Sequence, residues 1–293
     1  MDLYYLNLFV RFTCNVLLRS KALWVCALLS FCCVNLFQIY FQSNFVANAS
    51  PVGFVAGLRE YAFPELIPYM NVYLSSVLSG IILLFFSVTF LHIRVKNGSM
   101  DVIGYRPESN MEYIWGTILG FLLVFGGIGL VNLLGGGIIH LLWSEAPFVI
   151  GYYFFYYFTL FIPGLLCWLG ISFCTIFLIK ERGISILFLL ILYIVTTLYV
   201  SNYQGGIFDI WGIGLSNVFS QVTGHTNLRE YLLQRVCWFL FGIGLLQGAI
   251  LLFKRLPNSS VKTWREIITW TCLGSGCLLG ILFFQTYRDT NFK

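Results

Sequence analysis

Seven stretches of this 293-residue chain are apolar for long enough to cross a lipid bilayer: Ala22–Phe41, Val72–Ile93, Ile114–Leu134, Phe148–Ile179, Ile184–Val200, Trp238–Phe253 and Ile267–Phe284. A bilayer's hydrocarbon core is about 30 Å thick, so a spanning helix needs about 20 mostly apolar residues. Runs of this length leave little choice of fold, and the expectation is an all-α polytopic membrane protein. The fourth run contains Pro163-Gly164 and predicts a kink, a strong tilt or an interfacial start. The sixth is the shortest and its ends are poorly marked.

Composition agrees and excludes several classes. The chain is 10% charged with a mean hydropathy of +0.85, against about 25% charge in a soluble domain. Its 17 basic residues are scattered at span ends and form no basic face or stripe, which excludes nucleic-acid binding. The nine cysteines sit almost entirely in apolar runs with no CxxC and no Cys/His cluster. They read as small buried hydrophobes.

Charge placement gives an orientation. With the N-terminus inside, the inner segments hold Arg11, Arg19, Lys21, Arg94, Lys96, Arg106, Lys180, Arg182, Lys254, Arg255, Lys262 and Arg265. The outer ones hold Arg59, Arg229, Arg235, Arg288 and Lys293. That imbalance predicts a cytoplasmic N-terminus by the positive-inside rule.

Residues 1–21 carry Asn7, Arg11, Asn15 and Arg19 at every fourth position, with Leu6, Phe9, Val10, Phe12, Val16 and Leu17 over much of the rest. This pattern predicts an amphipathic helix along the inner leaflet. Ala47-Asn48-Ala49 has the form of a signal-peptidase site, but it lies well beyond an overlong apolar run, and an uncleaved anchor is expected. Gly116-xxx-Gly120, Gly244-xxx-Gly248 and Gly276-xxx-Gly280 have helix-packing spacing, for contacts within the chain or with a second copy. Gly126, Gly127, Gly129 and Gly135-Gly136-Gly137 predict that the end of the third span is loose and unwinds.

Two outer segments are irregular by composition. Gln42–Asn71 contains Pro51, Pro64 and Pro68 and predicts a loop with a short helix. Ser201–Tyr231 is too glycine-rich to span and too apolar to sit in water. Its residues Gly205, Gly206, Asp209, Trp211, Gly212 and Gly214 predict a re-entrant element built from short half-inserted helices. Non-helical backbone is tolerated at such depth only when buried in protein or lining a cavity.

Catalytic patterns are missing: no GxxxxGK[ST], no HExxH and no GxSxG occurs. His140 and Glu145, near the outer end of the third span, form the one pair with conceivable proton or metal chemistry, and headgroup contact is the expected reading. The span centres are almost free of ionisable residues, which argues against a proton pump or ion channel. No metal and no cofactor is expected.

The densest polar segment joins the second and third spans. Six of the chain's 29 charges (17 basic plus 12 acidic) fall between Arg94 and Glu112. Within it, Met100-Asp-Val-Ile-Gly-Tyr-Arg-Pro-Glu-Ser-Asn-Met-Glu-Tyr-Ile-Trp-Gly-Thr-Ile-Leu-Gly120 resembles the loop after the second span of ABC-2 type transporter permeases. In that family an Arg-Pro-x-Ser-Arg/Asn-x-Glu-Tyr-x-x-Gly-Lys pattern opens the third span. This chain has Arg106-Pro107, Ser109-Asn110, Glu112-Tyr113 and Gly116, with Thr117 where the family often has Lys.

The resemblance implies an interfacial helix at 1–21, a six-span ABC-2 type transmembrane domain at 22–255, and an extra C-terminal span with tail at 256–293. It implies a transport subunit, paired with a separate cytoplasmic ABC ATPase that binds the ATP and with a second permease subunit. The contact loop would use Gly98, Asp101, Tyr105, Arg106, Pro107, Glu108 and Glu112. The expected setting is the cell membrane, as in a bacterial inner membrane. A membrane-embedded lipid-modifying enzyme and a non-transporting assembly or sensor protein remain alternatives at this point.

Overall fold

The computed structural model describes residues 3–47, 63–96, 110–143, 148–200, 209–212, 219–220, 224–225, 227–253 and 263–291. Its helices are α1 (Leu3–Leu18), α2 (Lys21–Ala47), α3 (Phe63–Lys96), α4 (Asn110–Trp143), α5 (Ile150–Ile179), α6 (Arg182–Ile194, continued by a π turn Val195–Val200), α7 (Leu228–Leu252) and α8 (Thr263–Asn291). Among the described residues, the seven from α2 to α8 are long and apolar enough to cross a membrane. The chain is an all-α polytopic membrane protein. A two-residue antiparallel pairing, Phe219–Ser220 with Gly224–His225, is the one strand contact among the described residues.

Helix α5 is the central post. From Pro163 to Gly170 every residue is buried, against α3 and α7. The break expected at Pro163 takes the form of a π turn, Tyr157–Phe161, just before it. Proline cannot donate its backbone bond and crowds the preceding turn. The widened π turn relieves both while the helix continues. Thr159 donates its hydroxyl to the Phe155 carbonyl at 2.8 Å and covers one acceptor in this stretch.

Two sets of contacts define the ends of the bundle. At one, the base, Tyr113 at the start of α4 meets Phe9 of α1 and Phe253 just after α7, and Phe253 meets Phe177 near the end of α5. At the other, Tyr69 near the start of α3, Tyr156 of α5 and Tyr231 of α7 pack together. The outward faces carry large apolar side chains, such as Leu187, Ile191 and Leu198 beyond α5, and Trp270, Leu278 and Leu282 on α8. Such surfaces suit lipid.

Several expectations need correction. The third span does not unwind at its glycines; α4 is helical from Asn110 to Trp143. Glycine weakens a helix in isolation, but at several of these positions neighbours fill the missing side chain's space, Gly127 being open. A Cβ on Gly129 would meet the Phe161 ring at 2.3 Å, and one on Gly136 the Asn71 amide at 1.8 Å. The sixth span begins at Leu228, ten residues before Trp238, and so includes Arg229 and Arg235. Gln42–Asn71 is less loop than expected: helix extends to Ala47 in α2 and resumes at Phe63 in α3. Pro64 falls in the first turn, where its missing N–H costs no helix bond, while Pro68 inside α3 forfeits one. The described pieces of Ser201–Tyr231 are a bend, the small strand pair and the start of α7, not short helices.

The three small-residue motifs make contacts within the chain. Gly116 and Gly120 seat Phe9 and Thr13 of α1. Gly244 takes Leu273, and Gly276 approaches the Phe241 backbone, where the Cys237 thiol donates to the Gly276 carbonyl at 2.9 Å. Helix α1 packs its buried Phe9, Thr13 and Leu17 along α4, while Asn7, Arg11, Asn15 and Arg19 stay exposed. Burial pushes the Cys14 thiol on this helix up from its ordinary pKa, and a backbone hydrogen bond offsets part of that.

A polar seam joins α2, α3 and α4. Asn132 donates its amide to the hydroxyls of Ser30 (3.1 Å) and Ser75 (3.0 Å). Gln38 donates to the Gly136 carbonyl at 2.7 Å, and Asn71 donates to Gln38 at 2.6 Å. Such bonds glue helices in lipid, where apolar burial between helices gives little drive.

Candidate functional site

Asp209-Ile210-Trp211-Gly212 is a non-helical bend whose four residues are all buried. Backbone in such a place must find its bonds locally or from neighbours. It does both. The Asp209 carboxylate accepts the Gly212 N–H at 2.7 Å, which closes the bend. Gly212 has φ +80°, a left-handed conformation that favours glycine. The Tyr69 hydroxyl of α3 donates to the Gly212 carbonyl.

Two further carbonyls are held by a cation. Arg235, seven residues into α7, is 2% exposed. Its Nη1 donates to the Ile210 carbonyl and its Nη2 to the Asp209 carbonyl, both at 2.9 Å; Nη2 also donates to the Gln234 side chain. The guanidinium carbon lies 5.6 Å from the Tyr231 ring centre. Its fork geometry lets one side chain serve two successive carbonyls, which a lysine ammonium does less well. One acid and one base share the site, so its formal charge is zero.

Trp211 drives the bend into the bundle. Its ring packs where a side chain on Gly80 or Gly164 would be, at 2.7 and 2.5 Å from their would-be Cβ atoms. Gly80 lies midway along the span Ile67–His92, and Gly164 midway along Ile150–Ile179. The ring stacks on Trp168 at 6.4 Å and tilts against Tyr193 at 5.9 Å. Tyr193 in turn donates to the Val77 carbonyl at 2.6 Å. The indole therefore wedges among α3, α5 and α6, midway along the first two and near the end of the third, with Arg235 of α7 gripping the backbone behind it. The arrangement fixes position and seals space. No group of three His, Cys, Asp or Glu residues that would hold a metal occurs among the described residues.

Of the re-entrant residues expected from sequence, Asp209, Trp211 and Gly212 come together here; Gly205, Gly206 and Gly214 lie outside the described residues. Of the loop residues, Gly98, Asp101, Tyr105, Arg106, Pro107 and Glu108 also lie outside them. Glu112 is described and is buried in the first turn of α4, where a carboxylate suits the positive end of the helix. Its neighbour Tyr113 is 1% exposed, between Phe9 (5.2 Å) and Phe253 (5.7 Å).

His140 does not face headgroups. It is buried, with Nδ1 2.9 Å from the Tyr153 hydroxyl and its ring against Phe148; Glu145 lies outside the described residues. Arg235 and Tyr69 were missed from sequence. Arg235 places one buried charge near the start of α7, outside the span centres that were expected to be almost free of ionisable residues. A signal was present: Leu232-Leu-Gln-Arg-Val-Cys-Trp238 embeds one cation in an apolar stretch, directly before a span whose edge was set by hydropathy.

No family model matches this sequence, and no curated protein matches it. Its class is thus defined by fold and site alone: an all-α, multi-pass membrane protein with a wedged, arginine-held bend inside the bundle.

Proposed function

We propose that this chain is the membrane-spanning permease subunit of an ATP-driven ABC-2 type exporter. It works with a separate cytoplasmic ABC ATPase and a second permease subunit, and it holds no ATP site of its own. The base of the bundle faces the cytoplasm, with the N-terminal helix and most of the basic residues at that side. The protein belongs to the cell membrane, as in a bacterial inner membrane.

One observation carries the reading. The segment that resembles the family's contact loop leads in sequence into a turn of the base that is tied on two sides. Glu112 is buried there, Tyr113 is clasped between Phe9 of α1 and Phe253 after α7, and Gly116 seats α1. Phe253 passes the contact on to Phe177 of α5. A displacement of residues 97–109 by a cytoplasmic motor would reach α1, α4, α5 and α7 together. At the opposite side the wedged bend is the element that such a movement would have to shift to open the bundle.

The test is isolation of the full chain from its native membranes with bound subunits retained, followed by an ATP hydrolysis assay. The expected result is an ATP-hydrolysing partner whose activity falls several-fold with Asp101→Lys, at unchanged membrane insertion. A preparation without such a partner, or one indifferent to that substitution, contradicts the reading. Glu112→Lys is a poorer probe, because Glu112 is buried and the variant also disturbs folding.

A further inference from the structure

An apolar groove of about 560 Å3 runs between the α1–α2 corner and α4. Leu18, Leu23 and Trp24 line it at the corner, and Phe31, Val131 and Asn132 at the far end. On α4 the lining extends from Leu123 to Asn132, about 13 Å at about 1.5 Å per residue. That is close to half of the roughly 30 Å hydrocarbon thickness, the depth of one leaflet's chains. The volume falls in the range of about 300–1,000 Å3 that ligand sites occupy.

Charge at the corner narrows the occupant. Arg19 and Lys21 are exposed on either side of the α1–α2 junction, beside Leu18 and Leu23. Neither side chain has a partner among the described residues. Trp24 bridges the same corner, its indole N–H donating to the Leu18 carbonyl at 2.7 Å. An amphipathic ring with flanking cations is the composition of a bilayer's interfacial level. A second copy is a poor occupant. A two-fold contact through this face would bring Arg19 and Lys21 of both copies together, like charge against like.

We propose that this groove is a binding site for an anionic phospholipid, with one acyl chain along α2 and α4 and the phosphate on Arg19 and Lys21. The site is independent of the transport reading. It would tie the α1–α2 corner to α4, because the chain touches both walls.

Two variants separate head from tail. Arg19→Gln with Lys21→Gln removes the exposed charges. Gly127→Leu fills the groove: Gly127 lines it, and a Cβ there meets nothing within 4 Å, so the helix accepts the side chain. Purified full chain is titrated with phosphatidylglycerol and with phosphatidylcholine, and bound lipid is counted by native mass spectrometry. The expected result is one tightly retained phosphatidylglycerol. Its affinity should fall about 25-fold in the double variant, at about fivefold per cation, and be lost in Gly127→Leu. Phosphatidylcholine should bind weakly throughout. Equal retention of both lipids, or retention of phosphatidylglycerol by both variants, overturns the proposal. So does a dimer that Gly127→Leu converts to monomer, which would assign the groove to a second copy.

Discussion

Two polar regions lie inside this bundle and are built on opposite terms. At the wedged bend, strong donors meet backbone acceptors: Arg235 serves two carbonyls, Tyr69 a third, and Asp209 closes the turn on Gly212. In the seam of α2, α3 and α4, neutral amides and hydroxyls share bonds and leave acceptors over, whereas the bend leaves donors over, Arg235 Nε and the Trp211 indole N–H, among the described residues. The Oδ1 atoms of Asn35, Asn71 and Asn132 and the Ser79 hydroxyl have no partner among the described residues. The difference separates a fixed point from a contact that can slip. The bend is irregular backbone whose buried carbonyls depend on those donors. The seam joins helices that already satisfy their own backbones, so its bonds orient more than they sustain.

That contrast sets an order of effects. Trp211→Ala should be most damaging, at about 3–5 kcal/mol for a large buried aromatic, because the ring fills the space at both Gly80 and Gly164. Thermal unfolding of the purified protein in detergent reads it. Arg235→Met should be comparable: two buried carbonyls lose their donors, at about 1–3 kcal/mol each. Arg235→Lys should rescue only part, since a single ammonium reproduces the fork poorly.

Gly164→Ala should cost about 1–3 kcal/mol by overpacking against the Trp211 ring. Combined with Trp211→Ala it should cost less than the sum, because the ring that it strikes is gone. Asn132→Leu should be the mildest, at roughly 0.6 kcal/mol per interhelical bond lost. If Asn132→Leu destabilises as much as Arg235→Met, the contrast between the two regions fails.

Much of this was legible in the sequence, and the part that was not has physical causes. Run length and hydropathy found all seven spans, since lipid demands helices of a set length. Hydropathy also misplaced their ends, because helices continue past the apolar edge: α7 reaches back through Arg235 and Arg229 to Leu228. Glycine composition drew attention to Asp209, Trp211 and Gly212, but nothing local names Tyr69 or Arg235 as their partners. Those contacts join residues 143 and 26 positions apart. The α4 glycines were misread for a related reason. Their intrinsic preference favours unwinding, and only the rings and amides of α2, α3 and α5 against them explain why the helix persists.

The wedge at Trp211 and the clasp at Tyr113 sit toward opposite parts of the bundle, and the transport reading requires that they move together. Paired spin labels report this most directly: one at an exposed position near the base, such as Arg11, and one on Tyr199 at the end of α6, in the complex with its ATPase. Their distance should change when ATP is bound and fail to change with Asp101→Lys. A distance that is the same with and without ATP in the wild-type complex would contradict a motor-driven permease.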